Sequence, residues 1–186
     1  MPYRQLEIDL ARRIQCGDEE AFDEFARLFG SRLLHYSMTI CRQREDAEEV
    51  VQDTLLRLHD RVCELRDAER VRPWAFRVAK NVCLMKRRRK PLDRHHCFLV
   101  HPEAGTQMFP RQMELLEVVR DALSRLPKSL RLVFLLRAVE GLSTEETAEA
   151  LEISVDAVKN RMRRARKTIR EWIASPAVPA SGSFCL

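Results

Sequence analysis

The stretch from Leu142 to Trp172 leaves the chain little choice of local structure. Ser143 stands where an N-cap is needed and Glu146 completes a capping box, which predicts a helix from Thr144. Ala148 is small enough for a second helix to cross closely, Glu152 and Ile153 supply the turn, and Ser154 can cap the helix that follows. In that second helix Val155, Val158, Met162, Ala165, Ile169 and Trp172 recur at alternating helical spacings, so they share one inward stripe. The opposite face carries Lys159, Asn160, Arg161, Arg163, Arg164, Arg166, Lys167 and Arg170, with no acid between Asp156 and Glu171. The pattern is that of a helix-turn-helix. Its second helix suits a DNA major groove, because cations neutralise phosphates while Asn and Arg can form paired hydrogen bonds with base edges. A merely solvated helix face usually mixes signs, and this one does not. The turn carries a cost: Glu152 takes a position usually held by glycine, and left-handed backbone at such a residue costs about 1–2 kcal/mol.

Helical periodicity dominates the rest of the chain, strand-like alternation is absent and glycine is scarce, so the expected fold is all-α. With 186 residues, 45% of them hydrophobic, there is material for one ordinary domain or two small ones. Two helical blocks emerge, residues 1–91 and 113–174, joined by a flexible linker at 92–112 and followed by a disordered tail at 175–186. In the first block Leu6, Leu10 and Ile14 begin a helix that Gly17-Asp18 interrupts, and Phe22, Phe25, Phe29 and Leu33 mark the next. Ala47, Val50, Val51, Thr54, Leu55, Leu58 and Val62 stripe a third, leaving Asp46, Glu49, Gln52, Asp53 and Arg57 off the stripe. A fourth is expected after Pro73 and runs into the cations Lys86 to Lys90; its Trp74 and Phe76 read as core rather than as base-stacking platforms. The second block begins with a helix ended by Pro127 and another from Ser129 to Glu140, stopped at Gly141.

The net charge is +5, but its distribution says more: the segment from Arg44 to Glu69 is acid-rich, whereas Arg70 to Arg94 holds ten cations against Asp93 alone. Separate acidic and basic surfaces are expected. Cys16, Cys41, Cys63, Cys83, Cys97 and Cys185 are scattered without a C-x-x-C pair and no secretory signal precedes them, so they are expected as reduced thiols in a cytoplasm. No apolar run is long enough to span a bilayer, and no direct membrane insertion is expected. His95, His96, Cys97 and His101 cluster in the linker, but at no standard ligand spacing, so neither metal nor other cofactor is expected. Glu48 and Glu49 diverge around their helix, and no nucleophile-base constellation or glycine-rich phosphate loop exists; the residues suggest no enzyme.

Three strings in the first block carry a family resemblance: Gly17-Asp18-Glu19-Glu20-Ala21-Phe22, then Arg44-Glu45-Asp46-Ala47-Glu48-Glu49-Val50-Val51-Gln52-Asp53-Thr54, then Trp74-Ala75-Phe76-Arg77-Val78-Ala79-Lys80-Asn81. Together they resemble the polymerase-binding domain of extracytoplasmic-function (ECF) sigma factors, and Leu126-Pro127 through Arg170 resembles the promoter-reading C-terminal domain of the same family. The resemblance implies a dissociable subunit that binds core RNA polymerase at the clamp coiled coil of its largest subunit and at its flap. It places Asp46, Glu49, Gln52 and Asp53 on the polymerase, and Arg77, Lys80 and Asn81 on the minus-ten promoter element, with the loop from Glu64 to Arg72 where a flipped base is captured. It places Lys159, Asn160, Arg163, Arg164 and Lys167 on the minus-thirty-five element. It further implies an anti-sigma partner. From the residues alone, a free-standing dimeric helix-turn-helix regulator remains the alternative, and an all-α adaptor for RNA or acidic proteins the third reading; a dimeric regulator binds palindromic DNA without polymerase.

Overall fold

The computed structural model describes residues 3–41, 43–89 and 121–174, and every regular element among them is helical. Helix α1 spans Tyr3–Gln15, α2 Glu19–Met38, α3 Arg44–Arg61 and α4 Val71–Arg89, with 3-10 turns at Val62–Glu64 and Ala68–Arg70 between the last two. Residues 121–125 are helical (α5), followed by α6 (Lys128–Phe134), α7 (Thr144–Leu151) and α8 (Val155–Ile173). The His/Cys cluster, the linker and the tail lie outside the described residues.

Chain punctuation follows local chemistry. Gly17 takes φ +86° after α1, and the Asp18 N–H donates to the Arg13 carbonyl at 3.2 Å, closing the helix in a Schellman-like turn. Asp18 then caps α2, its carboxylate accepting from the Ala21 N–H at 3.0 Å. That bond and the Arg13 side chain hold the Asp18 carboxyl below its ordinary pKa. Helix α4 starts at Val71, three residues before the start expected after Pro73. Pro73 falls in the first turn, where amides have no intrahelical partner, so its missing N–H costs nothing.

The helix-turn-helix forms as its caps require. Ser143 accepts from the Glu146 N–H at 3.0 Å while Glu146 accepts from the Ser143 N–H at 2.5 Å, a complete capping box. Glu152 sits at φ 56°, ψ 48°, the left-handed conformation expected there, and Ser154 accepts from the Ala157 N–H at 3.2 Å. Ser143→Ala removes the cap from an eight-residue helix, and urea unfolding is expected to show a loss of about 1 kcal/mol.

The segment from Ser129 to Glu140 is not one uniform helix: after Phe134 it widens into a π-helical turn over Leu135–Val139, which Gly141 (φ +69°) ends. The turn leaves the Glu140 side chain buried. Arg131 is also buried, and its guanidinium donates to the carbonyls of Ser124 (2.5 Å) and Leu126 (2.9 Å), satisfying the end of α5.

The core is continuous across both blocks. Phe25, Phe29, Tyr36 and Phe76 meet at ring-centroid distances of 4.9–5.2 Å, so Phe76 is core as expected, and Trp74 packs partly buried against it. The same apolar cluster runs on through Leu136, Leu142, Ala148, Ala150, Leu151 and Met162 of the second block. The two blocks therefore do not stand apart. Helix α7 lies along α4, and beside this seam a charged node joins α1, α2, α4 and the π-helical turn. Arg72 Nε lies 2.9 Å from Glu7, Arg32 Nε donates to Glu140 at 2.7 Å and contacts Glu7 as well, and an Arg72 N–H donates to the Glu140 carbonyl. Burial raises the Glu7 carboxyl above its ordinary pKa against the pull of Arg32 and Arg72, and lowers the Arg72 guanidinium. Arg72 is thus a core residue, not part of the basic surface that the cation-rich segment suggested.

Candidate nucleic-acid and polymerase interface

On α3 the apolar stripe is buried at Ala47, Val50, Thr54 and Leu58, which turns the remaining face outward. Gln52 and Glu49 are exposed, and Asp46 and Asp53 are half-buried. Glu49 is already engaged with Lys86 of α4, which raises the lysine above its ordinary pKa. One member of this face escaped the sequence reading. Leu56 is 63% exposed, one helical turn beyond Gln52, and Met85 and Leu84 on α4 are also exposed. An apolar residue among hydrogen-bonding ones marks a contact with another protein better than acids alone, since interface centres are depleted of charge. Its signal in the sequence was an apolar residue off the packed stripe of α3.

The three minus-ten candidates lie on α4 beneath α7. Lys80 is 10% exposed and pairs with Glu152 at 2.5 Å. Arg77 lies 3.8 Å from Glu149, which Arg70 also meets at 3.0 Å. Asn81 is exposed, and its side chain helps to stabilise the Glu152 carboxylate. Lys80 chiefly, with Asn81 and Arg77, holds the Glu152 carboxyl below its ordinary pKa. So the structure brings Arg77, Lys80 and Asn81 together, but against two glutamates of the helix-turn-helix. A cation that suits a phosphate also suits a carboxylate, and here the second block supplies the carboxylates. The loop expected to capture a base holds two 3-10 turns, and the Gln15 amide pins it by donating to the carbonyls of Val62 (3.1 Å) and Leu65 (2.7 Å).

Helix α8 is free of such cover. Lys159, Asn160, Arg163, Arg164 and Lys167 are all exposed, while Val158, Met162 and Ala165 are buried beneath them. Lys159 has Asp156 at 3.9 Å and Lys167 has Glu171 at 3.6 Å, contacts worth little at such exposure. Beside this face runs a cleft of about 480 Å³ over Val158 and Met162, walled by Lys159, Arg163, Arg166, Lys167, Arg170 and by Arg137 of the π-helical turn. Arg137 was not anticipated, because it comes from a neighbouring helix that only the fold brings across. Among the described residues no three His, Cys, Asp or Glu side chains are placed to hold a metal ion.

An acidic, partly apolar helix face and a helix-turn-helix with a basic outer face, on described residues that are helical throughout their regular elements, fit a DNA-binding protein with a second surface for a protein partner. Family comparison agrees: the model "Sigma-70 region 2" matches residues 25–91 and "Sigma-70, region 4" matches residues 116–169. The chain is 31% identical over 157 residues to the ECF RNA polymerase sigma factor SigM of Mycobacterium tuberculosis, covering 81% of this chain and 76% of that protein. This chain belongs to the ECF family of RNA polymerase sigma factors. Its fold is similar to that of CnrH, solved in complex with the cytosolic domain of CnrY (26% identity, TM-score 0.61, 90% of this chain and 96% of that one). It is also similar to the sigma factor RpoE of Bartonella quintana, co-crystallised with the anti-sigma factor NepR (20% identity, TM-score 0.63, 82% and 96%). The protein directs promoter-specific transcription initiation by RNA polymerase, and sigma factors are non-catalytic transcription factors. The free-standing dimeric regulator is not favoured, because the family match extends over both blocks. No helix among the described residues is long and apolar enough to cross a membrane.

Proposed function

We propose that this sigma factor, acting in the cytoplasm and without catalytic chemistry of its own, docks on core RNA polymerase through the outward face of α3. It reads promoter DNA through α8 and α4. The polymerase face comprises Asp46, Glu49, Gln52 and Asp53, with Leu56 as its apolar anchor; hydrogen-bonding groups around one apolar contact suit a basic coiled-coil partner such as the clamp of the largest subunit. Lys159, Asn160, Arg163, Arg164 and Lys167 enter the major groove of the minus-thirty-five element, where Asn160 and Arg163 read base edges and the remaining cations hold phosphates. Arg77, Lys80 and Asn81 serve the minus-ten element. The observation that carries this assignment is the single-signed, uncovered face of α8 set against the acidic, partly apolar face of α3. An anti-sigma factor is the expected inhibitory partner, on the analogy of CnrH with CnrY.

Cover of Arg77 and Lys80 by α7 gives the reading a mechanical corollary: α7 must leave α4 before both promoter elements can be read at once. Two modest contacts held at fixed separation by the polymerase then multiply into useful affinity.

Run-off transcription from a genomic fragment library, with core polymerase and with or without this protein, tests the assignment. Discrete new start sites are expected, lost with Gln52→Ala plus Asp53→Ala. Asn160→Ala with Arg163→Ala should relax sequence preference at the upstream element, each lost base contact costing about 1–3 kcal/mol of discrimination. Start sites that survive the α3 pair, or an upstream preference indifferent to the α8 pair, would reject the corresponding surface.

A further inference from the structure

Two cysteines lie buried against one another where nothing in the proposed activity uses them. Cys41 closes the turn after α2, its N–H donating to the Ser37 carbonyl at 2.7 Å, and Cys83 lies in the later half of α4. They are 4% and 0% exposed. Their sulfurs share a hydrogen bond at 2.6 Å across 42 residues of chain, and the Cys83 sulfur also faces the Ser37 carbonyl at 3.9 Å. Sulfurs this close need little movement to reach the roughly 2.05 Å of a covalent bond.

We infer that Cys41 and Cys83 are a dithiol modification site, which a hydroperoxide oxidises to an intramolecular disulfide tying the turn between α2 and the polymerase-facing helix α3 to the promoter-facing helix α4.

The chemistry has a nucleophile and a resolving partner. Hydrogen bonding with Cys83 lowers the Cys41 thiol below its ordinary pKa, with Lys128 and Lys86 acting in the same direction against burial and Asp46. Cys83 is pushed up and keeps its proton. The Cys41 thiolate attacks one oxygen of hydrogen peroxide, breaking the O–O bond and leaving a sulfenic acid as the departing hydroxide takes up a proton to become water. The Cys83 sulfur then attacks the sulfenic sulfur. Its proton leaves with the displaced hydroxide as a second water, so two thiols and one peroxide yield one disulfide and two waters. Cys16 and Cys63 are exposed and serve as internal comparisons, since exposure alone would favour them.

The test treats the full chain with hydrogen peroxide and maps non-reduced peptides by mass spectrometry. A second arm refolds the reduced, denatured chain in a glutathione redox buffer, so that slow access to a buried pair cannot hide the outcome. The expected product in both arms is one cross-linked peptide joining Cys41 to Cys83, lighter by two hydrogen atoms. It is absent from Cys41→Ser and from Cys83→Ser, it persists in a chain with Cys16, Cys63, Cys97 and Cys185 changed to Ser, and it raises the melting midpoint relative to the reduced protein. Both residues remaining alkylatable in both arms, or cross-links scattered over the other cysteines, would overturn the assignment.

Discussion

Neutralising Glu149 and Glu152 together, as Gln, is expected to open the molecule and strengthen its binding to single-stranded minus-ten DNA. Three ion pairs cross from α7 and the turn after it to α4 and the 3-10 turn before it: Arg70–Glu149 at 3.0 Å, Arg77–Glu149 at 3.8 Å and Lys80–Glu152 at 2.5 Å. The first two are solvent-screened, worth roughly 0.5 kcal/mol each, and the third is stronger because Lys80 is nearly buried, so the set contributes about 2 kcal/mol to closure. Losing it shifts the closed-to-open ratio about thirty-fold. The apolar packing of α7 on the core remains, so the variant favours opening without unfolding. Small-angle scattering should report a larger radius of gyration, hydrogen exchange should show weaker protection along α4, and affinity for single-stranded oligonucleotides should rise. Glu19→Gln with Glu45→Gln makes the same change in net charge away from this seam and should move none of the three. An affinity gain shared by this control would mean that net charge, not uncovering, is responsible.

The clasp also has a pH sign. Lys80 lowers the Glu152 pKa in the closed form, so closure binds fewer protons than opening does. Its contribution is therefore complete above the ordinary glutamate range and is lost as pH falls through the lowered value. Acidification and added salt should open the chain in the same direction, salt because the outer pairs are exposed.

What could be read from sequence, and what could not, divides along the range of the forces involved. Ser143, Glu146 and Ser154 cap helices through bonds to residues three positions away, and Glu152 turns left-handed because the motif needs it, so all four were legible locally. The α3 stripe was legible for the same reason. The closure of α7 on α4 was not, because local pattern describes Arg77 and Lys80 only as cations and Glu149 as a solvated acid on a short helix. Pairing them requires knowing that Ala148 and Leu151 share a core with the first block. Arg72 illustrates the same limit. It sits among cations that do reach the surface, and only Glu7 and Glu140, far apart in sequence, explain its burial. Leu56 and Arg137 were missed differently: each was visible as a residue, but its meaning depends on what a neighbouring helix leaves exposed.

Arg72→Met is expected to be the most damaging single change in the first block, costing about 3–5 kcal/mol in urea unfolding. The side chain is 2% exposed, with Glu7 at 2.9 Å and the Glu140 carboxylate at 4.0 Å. Removing the guanidinium leaves two buried carboxylates to share Arg32, and a buried charge without its partner costs far more than the pair ever contributed. Methionine fills similar volume, so the loss reports charge rather than a cavity. Two further measurements separate this from a general packing defect. Burial already holds the Glu7 pKa above its unfolded value, and removing a neighbouring cation raises it further, so the folded variant takes up a proton more readily than the unfolded chain. Stability from that proton is present below the unfolded glutamate pKa and is lost as pH rises through the folded one, so the variant's deficit should be smaller in mildly acidic buffer than at alkaline pH. Glu7→Gln, which cannot be left as an unpaired anion, should then rescue part of the loss when combined with Arg72→Met. Costs that simply add in the double variant would show that Glu7 and Arg72 do not act on one another, and the charged node would have to be explained by Arg32 and Glu140 alone.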